Sequence, residues 1–265
     1  MDKISVAIIT FNEESKIRRC IESVIPVADE IIVLDSFSQD KTVSIALAAG
    51  ATVYQQGFHG YKEQKNAALQ FASYDYILSL DADEVLSVEL INSILAAKEK
   101  FTHTAYTMNR CNFFNGRFIR HGLWYPDKKI RLFNKHIAYW GGMNPHDKII
   151  LPGRATISHL EGDLFHYSFS TIKEYEKRND EISTIAADSL YKIGKRSGIK
   201  IFTNPLWRFI KSYFIKKGFL DGYPGFIIAR NTAAQAYLKY KKLNKLNRSE
   251  QNNLDKPVSV SLTDK

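Results

Sequence analysis

The sequence predicts an α/β protein: a mostly parallel sheet with helices on both faces. Three observations predict it. Short apolar runs alternate with segments of helical periodicity through the first hundred residues, polar or acidic residues follow the runs at one end, and no internal repeat interrupts the pattern. Residues 5–10 are a β-rich run. Residues 13–24 place Ile17, Cys20, Ile21 and Val24 at helical spacing, and Pro26 marks the helix end. Residues 31–34 are apolar again and stop at Asp35, completing a βαβ unit. Residues 42–49 predict a second helix closed by Gly50, 52–54 a third strand, 62–71 a third helix and 76–80 a fourth strand. Parallel order then brings residues 10–13, 35–40 and 81–84 to the carboxyl edge, where open α/β sheets bind ligands.

The 265 residues suffice for a sizeable core, one main domain and an extension. Cys20 and Cys111 give neither zinc spacing nor a disulfide framework, which fits a reducing compartment. The apolar run at 4–9 is shorter than a signal-peptide core and leads into Asn12-Glu13-Glu14, and no run reaches the roughly 20 apolar residues that span a bilayer. The expectation is a protein of the cytosol or of the cytoplasmic face of its membrane. The formal net charge is +9, and between Lys195 and Lys245 twelve Lys or Arg stand against a single acid, Asp221. The basic character is therefore a property of the C-terminal region, open to nucleic acid, anionic lipid, phosphorylated substrate or a solvated face.

The chemistry concentrates in Tyr76-Ile77-Leu78-Ser79-Leu80-Asp81-Ala82-Asp83-Glu84, an apolar run ending in three carboxylates. Alternate residues of an extended segment point the same way, so Asp81 and Asp83 can face one hard cation across Ala82. Taken alone, the pattern reads more readily as a strand running into a solvated acidic turn. The first strand leads into Thr10-Phe11-Asn12-Glu13-Glu14, without a Gly-rich dinucleotide or Walker loop. The second leads into Asp35-Ser36-Phe37-Ser38-Gln39-Asp40-Lys41-Thr42, where Asp35 can accept from a ribose or base edge while Ser38, Asp40 and Thr42 read equally as a helix cap.

These segments, with Lys65-Asn66-Ala67-Ala68-Leu69, occur in an order that resembles the family 2 glycosyltransferases, which use the GT-A fold. Trp124-Tyr125-Pro126-Asp127, Lys129-Ile130-Arg131-Leu132-Phe133, Asn144-Pro145-His146-Asp147 and Lys217-Gly218-Phe219-Leu220-Asp221-Gly222 narrow the resemblance to the branch typified by lipopolysaccharide-core β-glucosyltransferases. It covers about residues 3–243. The resemblance implies an inverting enzyme that moves a hexose, glucose by analogy, from a UDP-sugar to a sugar hydroxyl of a cell-envelope glycolipid. By the same resemblance Asp35 reads the uracil, Thr10, Asn12 and Glu13 line the nucleoside pocket, and Lys65 contacts the donor. Asp81 and Asp83 hold ribose and metal, with Asp83 the direct ligand of Mg²⁺ or Mn²⁺. Carboxylates committed to a metal cannot also take the acceptor's proton, and the candidate base is Asp147 beside His146. The branch reads His-Glu here; this chain has a carboxylate one methylene shorter.

Several residues keep two readings. Arg131 suits a diphosphate clamp or a strand-edge cation. His121 and His166 suit acceptor contacts or hydrogen-bonded structural roles. Trp124 and Tyr125 suit sugar stacking or the core. Residues 206–217 mix large apolar and basic residues as interfacial helices do, which predicts peripheral attachment to an anionic inner-membrane surface or a hairpin packed on the catalytic domain. The nucleic-acid alternative lacks a recognisable motif, and a nucleotidyltransferase would carry a Gly-rich phosphate loop after the first strand. The expected organisation is a catalytic domain over 1–165, its donor side at about 1–100 and its acceptor side at about 101–165. A basic amphipathic helical region follows over 166–246, and a disordered polar tail over 247–265.

Overall fold

The computed structural model describes residues 1–143, 146–169 and 171–254, without the side chains of Met143, His146 and residues 250–254. The first hundred residues run β1 (Ile4–Thr10), α1 (Ile17–Val24), β2 (Glu30–Asp35), α2 (Thr42–Ala48), β3 (Thr52–Gln55), α3 (Tyr61–Gln70), β4 (Tyr76–Asp81), β5 (Glu84–Leu86) and α4 (Val88–Lys98). Then come β6 (Ala105–Phe114), β7 (Arg117–Phe118), β8 (Asp127–Asn134), β9 (Tyr139–Met143), β10 (His146–Ile150) and β11 (Ile157–Phe169). Helices α5 (Ile172–Lys192), α6 (Lys200–Ile210) and α7 (Gly222–Leu254) complete the described chain.

The main sheet has the order β3-β2-β1-β4-β8-β6-β11-β5. Strands β1 to β4 pair in parallel as the sequence predicts, with Thr10 opposite Asp35 and Ile9 opposite Asp81. The sheet continues antiparallel from β4 to β8 and from β8 to β6. Strands β9 and β10 form a separate hairpin that sets Asp147 opposite Gly142.

Alternation along β1 divides the core. Val6 and Ile8 join Ile17, Cys20, Ile21 and Val24 of α1 and Leu90 and Ile94 of α4 in one apolar cluster. Ala7 joins Ala68 and Leu69 of α3, Ile32, Leu34, Phe133 and Trp140 in the other. Each fully buried Ile or Leu contributes about 1.5–3 kcal/mol by leaving water, which holds helices on both faces. Helix α1 begins four residues later than its apolar spacing predicts: Lys16 N and Ile17 N both donate to Glu13 O, and the segment before Ile17 is a turn.

The chain divides into two compact units, residues 1–113 with 124–168, and residues 114–123 with the chain from Phe169 onward. In the second unit α5 presents Tyr175, Asn179, Ser183 and Ala187 on one buried face. The buried carboxylate of Asp221 accepts from His121 N at 2.8 Å and His121 Nδ1 at 3.1 Å, which makes His121 a structural partner of Asp221. A Cβ at Gly225 would strike the Gly218 carbonyl oxygen, so this turn tolerates only glycine there. Helix α6 has no buried residue, and a single wide π turn (Lys211–Ile215) follows it. Helix α7 continues past Asn247 to Leu254, so the polar tail expected from Asn247 begins as helix; residues 255–265 lie outside the described set.

Candidate active site

The loops after β1 and β2 are laced to each other at the carboxyl edge. Asn12 N donates to Ser38 Oγ and Gln39 N returns a bond to Asn12 Oδ1, both at 2.8 Å. Glu14 N donates to Asp40 Oδ2 at 3.1 Å and Lys41 N donates to Glu14 Oε2 at 3.0 Å, while Glu13 N donates to Thr42 Oγ1 at 2.7 Å. The cap-like residues of 38–42 therefore serve the neighbouring loop as well as the start of α2. Thr10 is buried, and among the described residues its hydroxyl has no hydrogen-bond partner. Burial pushes the Glu13 carboxyl up, and Lys16 at 3.1 Å offsets this only in part. Asn12 and Phe37 adopt left-handed φ of 53° and 62°, an uncommon strain for a bulky residue such as Phe37. Phe11 and Phe37 stand exposed on these loops, two aromatic faces that the sequence reading missed.

Asp35 ends β2, opposite Thr10. It is fully buried; Oδ2 accepts from Ser38 N at 2.9 Å and Gln55 Nε2 at 3.0 Å, and Oδ1 is taken by Ser38 Oγ. These three donors tie Asp35 to the loop after β2 and to β3, and leave its two oxygens with acceptor capacity to spare.

A second cluster forms where β4 ends. Arg131 Nη2, from β8, donates to Asp81 Oδ2 at 2.9 Å and Glu84 Oε1 at 2.5 Å. Glu84 Oε2 also accepts from Asp81 N at 3.1 Å, closing the turn. Lys65 Nζ, from α3, lies 3.1 Å from Asp81 Oδ1 and 2.9 Å from Asp147 Oδ2, with the Trp140 ring 4.3 Å away. Burial raises the cost of charge on Asp81, but Arg131 and then Lys65 outweigh it and hold the carboxyl well below the usual range. Burial likewise works against Arg131, and Glu84 ahead of Asp81 keeps it charged. Arg131 thus braces Asp81 and Glu84 from a buried position, its charge countered inside the protein. Lys65 is equally buried.

Asp83 stands apart from these ion pairs. His166 Nε2, on β11, lies 3.4 Å from Asp83 Oδ2, and His166 Nδ1 meets Asn112 Oδ1 at 2.6 Å. An amide oxygen only accepts, so Nδ1 donates to Asn112 and Nε2 faces Asp83. A carboxylate oxygen beside an imidazole nitrogen offers two ligands to a divalent cation. Among the described residues no group of three or more His, Cys, Asp or Glu forms a closed cage. Two protein ligands leave the remaining positions to substrate phosphates and water, the usual arrangement for Mg²⁺. The sequence left His166 undecided, because no spacing pattern links β11 to the Asp81–Glu84 turn.

Tyr125 donates from its hydroxyl to Asp163 at 2.8 Å, and half-buried Trp124 ends a short 3₁₀ turn (Gly122–Trp124). The side chain of His146 lies outside the described set.

An α/β sheet that gathers carboxylates at its carboxyl edge places a ligand site there. The glycosyl transferase family 2 profile matches residues 5–175. The chain is 34% identical to a glycosyltransferase of Rickettsia typhi over 263 residues, 95% of this chain and 90% of that one. It is 28% identical to the lipopolysaccharide core biosynthesis glycosyltransferase LpsC of Rhizobium meliloti over 251 residues, 91% of each. Glucosyl-3-phosphoglycerate synthase from Mycobacterium tuberculosis, solved with Mn²⁺ and UDP-glucose, aligns with a TM-score of only 0.36 and 26% identity over 42% of this chain and 44% of its own. The chain belongs to glycosyl transferase family 2, and it is a glycosyltransferase.

Proposed function

We propose that this glycosyltransferase is inverting and metal-dependent, and moves a hexose, glucose in the first instance, from a UDP-sugar to a sugar hydroxyl of a cell-envelope glycolipid. One observation carries the reading. The loops that can hold a nucleoside, the Asp83–His166 pair and the Asp147 carboxylate all belong to the first compact unit, with Lys65 joining Asp81 to Asp147.

In this reading Thr10, Asn12 and Glu13 line the nucleoside pocket, and Thr10 Oγ1 supplies an unpartnered polar atom for it. Asp81 lies beside the ribose, its charge fixed by Arg131. Asp83 and His166 would hold Mg²⁺ or Mn²⁺, which when bound neutralises the diphosphate leaving group. Asp147 takes the proton from the acceptor hydroxyl as that oxygen attacks the anomeric carbon opposite UDP, so configuration inverts. Residues 1–100 serve the donor and 101–165 the acceptor, with Trp124, Tyr125 and His146 on the acceptor side.

LpsC, named for lipopolysaccharide core biosynthesis, supports a glycolipid acceptor. So does the second unit. No helix among the described residues is long and apolar enough to cross a membrane, yet Ile199, Phe202, Leu206 and Trp207 are exposed along α6, beside Lys200, Arg208, Lys211, Lys216 and Lys217. Apolar and basic residues together fit an anionic leaflet on the cytoplasmic face better than duplex nucleic acid, which offers no apolar layer.

The test is a donor screen: UDP release from UDP-glucose, UDP-galactose and UDP-N-acetylglucosamine with truncated lipopolysaccharide, with Mn²⁺ or with EDTA. Release from UDP-glucose that needs both the metal and the acceptor is the expected result. Release that ignores the acceptor, or that survives EDTA, contradicts it.

A further inference from the structure

Asp147, the base in the reading above, has its carboxylate already engaged. Lys65 Nζ lies 2.9 Å from Asp147 Oδ2 and 3.1 Å from Asp81 Oδ1, and the Lys65 and Asp147 side chains are only 5% and 8% exposed. The oxygen that faces the ammonium is occupied by that contact and is not open to an acceptor hydroxyl for as long as the pair persists. The two carboxylates depend on Lys65 unequally, since Asp81 has a second cation in Arg131 at 2.9 Å. Among the described residues, Lys65 is the cation in hydrogen-bonding contact with Asp147.

We propose that Lys65 is a latch: it holds Asp147 as an ion pair while the donor site is empty, and passes to the donor diphosphate when the donor binds. This rests on the assignment of Asp147 as base and of a nucleoside diphosphate-sugar as donor. A lysine suits the role because its compact charge rides on a flexible four-carbon stem and phosphate oxygens compete well for it. The backbone beneath it is pinned. Asn66 Nδ2 donates to Trp140 O at 2.8 Å and Trp140 N donates to Asn66 Oδ1 at 3.0 Å, so only the side chain has to move. The same ammonium that counters charge on the leaving group thereby releases the base, and the acceptor is engaged only after the donor. Lys65 acts on proton transfer through Asp147 and is a positioning residue for that step.

Competition between Asp147 and the diphosphate for one ammonium is reciprocal, so removing the carboxylate charge must strengthen diphosphate binding. The test is calorimetry of UDP binding in Mn²⁺ to the full chain, as wild type, Asp147→Asn, Lys65→Met and the double variant. Asp147→Asn is expected to bind UDP about tenfold more tightly than wild type, while in the Lys65→Met background the same change alters affinity by less than about twofold. Equal or weaker UDP binding in Asp147→Asn overturns the latch. So does tightening of the same size without Lys65, which belongs to lost negative charge alone. Should Lys65→Met fail to fold by circular dichroism, Lys65→Gln takes its place, because its amide can still donate to both carboxylates. Wild-type protein that binds no UDP in Mn²⁺ overturns the donor assignment itself, a result distinct from UDP binding without coupling.

Discussion

His166 Nε2 lies 3.4 Å from Asp83 Oδ2, and the ring is held in that orientation through its other nitrogen by Asn112 Oδ1 at 2.6 Å. Three elements distant in sequence, the turn after β4 and strands β6 and β11, meet in this contact. In the proposed reading Asp83 and His166 together hold the metal, with Asn112 orienting the ring.

Asn112→Ala removes the bond that orients the ring without touching either ligand. Mn²⁺-dependent UDP affinity should fall by about tenfold, within the range for an outer partner of a metal ligand, and His166→Ala should cost at least as much. Calorimetric titration of UDP in Mn²⁺ and in EDTA measures both. Unchanged affinity in His166→Ala would leave Asp83 without its partner.

Asp147→Asn should lower the turnover rate by about 10² to 10⁴ while the protein still binds UDP, because an amide can hold the geometry but cannot accept the proton. Turnover is read as UDP release with truncated lipopolysaccharide as acceptor. A variant with wild-type turnover would place the base elsewhere.

Asp35→Ala separates loop support from base recognition. The part-buried donors Ser38 N and Gln55 Nε2 lose their acceptor, at a cost of about 1–3 kcal/mol in unfolding free energy. Urea unfolding measures it. A variant as stable as wild type that has nonetheless lost UDP affinity would favour the role of base reader.

The parallel half of the sheet was legible because its strands and helices are local, each one apolar run with its own period. Thr10, Asp35 and Asp81 were correctly placed at one edge for the same reason. What escaped depends on partners far apart in the chain. No local pattern announces the bond from Gln55, twenty residues on, to Asp35. The ion pairs of Arg131 with Glu84 and Asp81 are equally hidden in the sequence. His166 and Asn112 carry no motif at all, and Phe37 gains meaning only from its left-handed φ of 62°.

The second unit should bind vesicles of anionic lipid at low salt and leave them as salt rises, since each basic residue near the surface adds about 1 kcal/mol that screening removes. Neutralising Lys211, Lys216 and Lys217 to Gln should weaken co-sedimentation, and Phe202→Ala with Leu206→Ala should weaken it even at low salt. Absence of vesicle binding at low salt would refute the membrane reading. Preference for duplex DNA over vesicles would favour nucleic acid as the partner of this basic region.

The most direct measurement is the Mn²⁺-dependent affinity for UDP in wild type and Asp83→Asn, because every assigned role presumes a nucleoside diphosphate bound through a metal at Asp83. Wild type should bind UDP more tightly with Mn²⁺ than with EDTA. Asp83→Asn should lose that difference, since a neutral amide cannot replace the carboxylate charge at the cation. Equal metal-dependent affinity in the two proteins would contradict the account.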